Sequence, residues 1–192
     1  ETIDIRYTPE LHKSCLPTST LSELGVAFLR AFYRYTISSP FEHVIVCRYE
    51  GIPVACATIS CQPETLNRRL AVKTPLIWSV VCHLHKRMVR QAMILRPDTQ
   101  LNDSKLDNSE VPAPELIALF CRQDMRDLGI GGELIDGADR YLGSAGQLHY
   151  FVRTFDDPDN SAIRFYTRHG FVSVGHILAF GQKFLLMSKK LL

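Results

Sequence analysis

The sequence is short of several things at once. Its 192 residues carry 22 basic and 20 acidic side chains, a formal net charge of +2. A charge balance this even argues against nucleic acid as a partner. Six cysteines (Cys15, Cys47, Cys56, Cys61, Cys82, Cys121) include no Cys-x-x-Cys and no paired metal spacing. His83 and His85 are two apart on a helical pattern and face different ways, so no metal site is expected. There is no internal repeat or low-complexity stretch, and the opening residues do not read as a signal peptide. Several cysteines fall in apolar runs, where a free thiol packs as a small hydrophobe, so reduced thiols and a cytoplasmic setting are expected. A lysine is also missing where a nucleotide triphosphatase would need one. The glycines at 129, 131 and 132 are not followed by Lys-Ser/Thr, which disfavours a P-loop. Nor does a Gly-x-Gly-x-x-Gly open the chain, as a dinucleotide fold would want.

Among the features that are present, Arg126-Asp127-Leu128-Gly129-Ile130-Gly131-Gly132 stands out. Pro114–Cys121 is short, apolar and bounded by turn signals, and reads as a buried strand. Leu134, Ile135, Ala138 and Leu142 then recur on one helical face. Glycines at such a strand-to-helix junction let backbone approach a ligand, and the first helical amides have no intrahelical partner. Free donors and the positive end of the helix dipole suit a pyrophosphate. The plain alternative is a turn merely softened by glycine. Further on, Asn160 opens a short helix in which Ala162, Phe165 and Tyr166 share a face, and Gly170 can end it in the left-handed conformation. His169 reads as a helix-end residue in favourable contact with the dipole.

These two segments together resemble the GNAT superfamily of N-acetyltransferases. Arg126, Gly129 and Gly131 match its Arg/Gln-x-x-Gly-x-Gly/Ala signature. Asn160, Ala162, Tyr166, Gly170 and Phe171 resemble its Asn-x-Ala-x-x-x-Tyr followed by Gly-Phe. The likeness is specific over about residues 114–190 and architectural before that. Asp127 and Leu128 depart from it, since those positions are often small or basic in the family. The resemblance implies an α+β fold with a mostly antiparallel, splayed mixed sheet flanked by helices, and acetyl-CoA as co-substrate. It further implies that Arg126, Asp127, Leu128, Gly129, Ile130, Gly131 and Gly132 hold the pyrophosphate. Phe120, Cys121 and Arg122 would pair with the pantetheine arm, and Asn160 would touch it as well as cap its helix.

A hydrophobic content of 46% and a charged content of 22% are those of one globular domain, here residues 1–192. Ile3–Tyr7 alternates and is expected as an edge strand. Leu21, Leu24, Phe28, Ala31, Phe32 and Tyr35 follow helical spacing after Ser19 and Thr20, which can cap. His43–Tyr49 and Ile52–Ser60 read as a hairpin about Glu50-Gly51, Gln147–Thr154 as a strand, and Phe171–Phe180 with Lys183–Lys189 as a final hairpin. About residues 62–113 form an insertion between the third and fourth strands. Within it Leu76, Ile77, Val80, Val81, Leu84, Met88 and Val89 keep a helical period. Arg68, Arg69, Lys73, Lys86, Arg87, Arg90 and Arg96 make it basic. Such a helix either packs on the core, walls the acceptor site, or meets an anionic partner such as a phosphorylated sugar or a membrane surface.

Acetyl transfer from a thioester to an amine requires a neutral amine, although an exposed alkylammonium has a pKa of about 10.4. A base or a water chain must therefore take its proton. A backbone amide can stabilise the oxyanion, and the departing thiolate benefits from a proton donor. Glu115 starts its strand 11 positions before Arg126, a placement that resembles the catalytic Glu of histone-type members. It is the expected base, with a solvent-facing edge carboxylate as the alternative and Glu110 and Asp124 as weaker rivals. Tyr166 falls where many members carry a Tyr near the sulfur and is the expected acid; the alternative is a core tyrosine. Cys121 as an acyl carrier is disfavoured, because direct attack is the rule in the family. The expected activity is acetyl-CoA-dependent transfer to a primary amine, in a small acceptor of the amino-sugar type. A protein N-terminus or lysine, or a non-catalytic acyl-CoA-binding module, are the other readings. A homodimer is left open.

Overall fold

The structure, a computed structural model, describes residues 6–73, 113–179 and 182–191. Helices α1 (Thr8–Cys15), α2 (Thr20–Glu23) and α3 (Val26–Ser38) precede the hairpin β1 (Glu42–Tyr49) and β2 (Ile52–Ser60), followed by α4 (Pro63–Lys73). Then come β3 (Glu115–Cys121), a 3-10 turn (Gln123–Met125), α5 (Ile130–Ser144) and β4 (His149–Phe155). Helix α6 (Ser161–Arg168) and the hairpin β5 (Val172–Ala179) and β6 (Gln182–Lys190) complete the chain. The strands form an open mixed sheet in the order β1-β2-β3-β4-β6-β5, in which β3 and β4 are the only parallel neighbours among the described residues. This is the α+β architecture that the sequence leads one to expect.

Local chemistry accounts for most boundaries. Glu50 and Gly51 both take positive φ (50° and 80°), the conformation whose twist matches the strands of a tight hairpin. Gly25, at φ 91°, breaks the expected single helix over Leu21–Tyr35 into α2 and α3. Ser19 caps the first piece by accepting from Ser22 N. The expected edge strand Ile3–Tyr7 is not seen at its described end. Arg6 and Tyr7 lie in a turn, and Tyr7 stands at the N-cap position of α1, whose first turn accommodates Pro9. Ile3–Ile5 lie outside the described residues, as does the expected helix Leu76–Val89 with its basic side chains. What is described of the insertion is α4, which buries Leu66 and Leu70 in one cluster with α3.

The sheet is covered on both faces. Helix α5 sets Leu134, Ile135, Ala138 and Leu142 against Ala55, Ala57, Ile59, Leu116 and Val152, while α3 sets Phe28, Leu29, Phe32 and Tyr33 against Cys56, Ala118 and Phe120. Strand β3 serves both because it carries a bulge. Thr58 pairs with Ala118 but Ile59 with Leu116, so Ile117 is an extra residue and the side-chain alternation inverts across it. Asp139 on α5 accepts from the Tyr150 hydroxyl (2.8 Å) and from Lys189 Nζ (2.6 Å), tying that helix to β4 and β6.

His12 on α1 is fully buried, its Nδ1 2.8 Å from the Tyr33 hydroxyl and its ring 4.8 Å from that of Phe120. Burial disfavours its charged form and lowers its pKa from 6.5 to about 4. The native state therefore binds the neutral ring. This stability is present above the unfolded value of about 6.5 and is lost as pH falls towards 4, amounting to about 3 kcal/mol at 1.36 kcal/mol per unit. Urea unfolding between about pH 7.5 and 4 should show this loss, and His12→Phe should remove most of that slope. An unchanged slope in the variant would place the acid sensitivity elsewhere.

Candidate active site

Strands β3 and β4 pair only at Glu115↔Phe151 and Leu116↔Val152, with Phe151 N donating to Pro114 O at 2.9 Å. Beyond that apex no β3–β4 pairing continues, so the β4-facing edge of Ile117–Cys121 carries main-chain groups without a strand partner. At the open end the chain makes the 3-10 turn and reaches α5 through Asp127 (φ 61°) and Gly129 (φ 82°). Gly129 is the helix N-cap and supplies no side-chain cap, so the amides of Ile130, Gly131 and Gly132 have no intrahelical acceptor. Leu128 is two-thirds exposed beside them.

The glycines divide their tasks differently from the sequence reading. A Cβ on Gly131 would lie 2.9 Å from Cε2 of Phe165, and one on Gly132 would lie 3.0 Å from Nε2 of His169. These two make room for α6. Gly129 has open space around its Cα and is needed for its positive φ alone.

Several expected site residues gather at this open end, and most are already bonded. Arg126 Nε donates to the Cys121 carbonyl at 3.4 Å, and the Cys121 thiol donates to Met125 O. Arg122 N bonds Val54 O at 2.8 Å, while its Nε meets Asp124 Oδ1 at 2.6 Å. Phe120 is buried against His12. Asn160 caps α6 by accepting from Ala162 N (3.0 Å), and its amide donates to Thr154 Oγ1 and Phe155 O (both 2.8 Å). Both amide hydrogens of Asn160 thus splice α6 to the end of β4. Burial raises the pKa of the Cys121 thiol, which does not favour an acyl-carrying thiolate.

Glu115 stands at the closed apex, about 20 Å along a seven-residue strand from Cys121 at about 3.3 Å per residue. It is not a solvent-facing carboxylate. Arg153 of β4 grips it side-on, with Nε to Oε1 at 2.5 Å and Nη2 to Oε2 at 2.6 Å. Burial works against the guanidinium charge, but the carboxylate outweighs it and raises the Arg153 pKa. In register with Glu115 across β2 are Ser60 and then Glu42. Ser60 Oγ donates to Glu42 Oε1 at 3.0 Å, and Arg69 of α4 also binds that oxygen. Glu42 Oε2 is buried without a hydrogen-bond partner among the described residues. Of this row the sequence singles out Glu115 alone, and Arg69 counts there only among the basic side chains of the insertion. The available signal was Glu115, the one charged residue of Glu115–Cys121, together with Arg153 within the strand-like run Gln147–Thr154.

Tyr166 lies in the α5-side core, packed edge-on to Phe165 and Phe171 at 5.3 Å. Burial raises its phenol pKa, so it is a proton carrier at neutral pH. Among the described residues its hydroxyl has no hydrogen-bond partner. A separate groove of about 310 Å³ along the open edge of β1 (His43–Val46 and Arg48) lies two strands from the cleft. No described helix is long and apolar enough to cross a membrane.

The acetyltransferase (GNAT) family model matches residues 9–171. The chain belongs to the GNAT acetyltransferase family. Solved structures share its fold at low identity. Aminoglycoside 6′-acetyltransferase type Ii aligns at TM-score 0.60 and 14% identity, over 100% of this chain and 96% of that one. The ribosomal-protein-S18-alanine N-acetyltransferase of Escherichia coli aligns at 0.57 and 10%, over 100% and 90%. PaiA N-acetyltransferase from Thermoplasma acidophilum, in complex with coenzyme A, aligns at 0.55 and 12%, over 97% and 89%. A comparison with curated proteins gives no match. GNAT acetyltransferases use acetyl-CoA. The unpaired β3 edge and the free amides of α5 fit that co-substrate, an extended chain with amides at one end and phosphates at the other.

Proposed function

We propose that this GNAT protein transfers the acetyl group of acetyl-CoA directly to the primary amine of a small, amino-sugar-type acceptor. The observation that carries the reading is the unpaired edge of β3, which connects the free amides of α5 to a buried ionic apex. Arg126, the amides from Asp127 to Gly132 and the positive end of the α5 dipole hold the diphosphate. The edge around Phe120, Cys121 and Arg122 pairs with the pantetheine arm. Asn160 acts one step back, by fixing the end of β4. Acetyl-CoA supplies the activated acyl group. Tyr166 gives its phenolic proton to the departing thiolate as the carbon–sulfur bond breaks. The amine proton goes to Glu115 through water, onto lone pairs that Arg153 leaves free.

The basic sequence of the insertion, which returns to the sheet at Glu115, supports an acceptor that carries phosphate or a nucleotide. Calorimetric titration with acetyl-CoA followed by an acceptor panel tests the whole reading. Micromolar binding and turnover of amino-sugar nucleotides are expected. Turnover of peptide N-termini or lysine instead would move the acceptor to protein, and binding without any turnover would make this an acyl-CoA-binding module. Gly129→Val meets open space, so its effect reports the strained positive φ alone; a loss of affinity of about tenfold or more is expected. Unchanged affinity would remove the turn from the phosphate site.

A further inference from the structure

Gly132 is the third residue of α5, and Nε2 of His169 sits 3.0 Å from where its Cβ would be. Helical Cα–Cβ bonds tilt towards the helix N-terminus. The imidazole nitrogen therefore lies against the first turn of α5, where a side chain at position 132 would begin. Its orientation is fixed. Nδ1 is 2.8 Å from the Phe165 carbonyl, and the ring lies 4.4 Å from that of Phe165, which itself presses on Gly131. A carbonyl only accepts, so Nδ1 carries the proton and Nε2 is the nitrogen left over. Among the described residues no protein group bonds Nε2.

We infer that His169 completes the diphosphate site, with Nε2 donating a charge-assisted hydrogen bond to a phosphate oxygen of CoA. This rests on the reading of the α5 turn as the phosphate site. The neutral ring has no proton on Nε2, so binding draws one from solvent and is tighter at low pH than at high pH. The ionisable groups on the elements packed here are Arg126 and Asp127 in the turn, Glu133, Asp136, Asp139, Arg140 and Tyr141 on α5, and Arg164 and Tyr166 on α6. Arg168 follows on α6, and Lys189 of β6, which reaches Gly170, is paired with Asp139. Of these side-chain types only imidazole changes charge between about pH 5 and 8. The same contact explains a glycine at 132, since any side chain there would displace the ring.

Calorimetry with dephospho-CoA, which keeps the diphosphate but lacks the 3′-phosphate, isolates the contact. Titrations at about pH 6 and pH 8, in buffers of different ionisation enthalpy, report affinity and proton uptake together. Wild-type protein is expected to bind several-fold more tightly at the lower pH and to take up a proton. His169→Phe should bind about tenfold more weakly there, with no uptake and no pH dependence. His169→Gln, which keeps a donor, should recover part of the affinity without the pH dependence. Wild-type affinity and proton uptake in His169→Phe would overturn the assignment. So would an equal loss in both variants with uptake retained, which would mean that the ring only packs. A wild-type protein that binds neither CoA nor dephospho-CoA would instead sink the phosphate-turn reading on which this rests.

Discussion

Tyr166→Phe is expected to lower turnover by about a hundredfold or more while leaving acetyl-CoA affinity and thermal stability close to wild type. The ring is buried with Phe165, Phe171 and Tyr150, and phenylalanine keeps that packing. Its hydroxyl bonds nothing among the described residues, so its removal leaves no protein group unsatisfied. What disappears is a proton that burial holds on the oxygen well above neutral pH. Stopped-flow or steady-state acetyl transfer, paired with calorimetry, separates the two effects. Turnover within a factor of three of wild type would make Tyr166 a core residue and leave the thiolate to be protonated by water.

Arg153→Ala is expected to destabilise the fold by about 3 kcal/mol, the lower end of the range for breaking a buried pair. The low end applies because the Arg153 side chain is 35% exposed although that of Glu115 is only 11% exposed. The cost comes from Glu115, whose buried charge would remain with both hydrogen bonds gone. Glu115→Leu combined with Arg153→Met should recover most of it, since paired removal leaves no uncompensated charge. Urea unfolding of the two single variants and the double one measures this directly. A single-variant cost below about 1 kcal/mol would make the pair an ordinary solvated contact.

Segments whose period and punctuation agree were legible from sequence. The strand ending at Cys121, the turn, α5, β4, α6 and the last hairpin are all of this kind, because each carries its own period and its own boundary residues in the sequence. Gly25 was harder to read. A glycine inside a helical period can be tolerated, and only packing decides that this one breaks the helix. The bulge at Ile117 is a matter of register between β2 and β3, and the apolar run around it gives no sign of which residue is extra. Arg153 and Glu115 are 38 residues apart, and they meet only because β3 and β4 run parallel and in one particular alignment. The same holds for Arg69 and Glu42, 27 residues apart, since a count of charges in the insertion gives no partner for Arg69. Glycines 131 and 132 were recognised as necessary, but the neighbour that requires them is a helix about 30 residues further on.

The short pairing between β3 and β4 has a mechanical consequence. The sheet consists of two leaves, β1–β2–β3 and β4–β6–β5, each stitched along its length by antiparallel pairing. Within the sheet, two residue pairs, one hydrogen bond from Phe151 and the Glu115–Arg153 clamp form the pin between them, while α5 packs across both. Anything that lies along the free edge of β3 therefore braces one leaf against the other. Under the proposed function the residue that receives the amine proton is also part of that pin, so substitutions at Glu115 are expected to disturb this joint together with the chemistry.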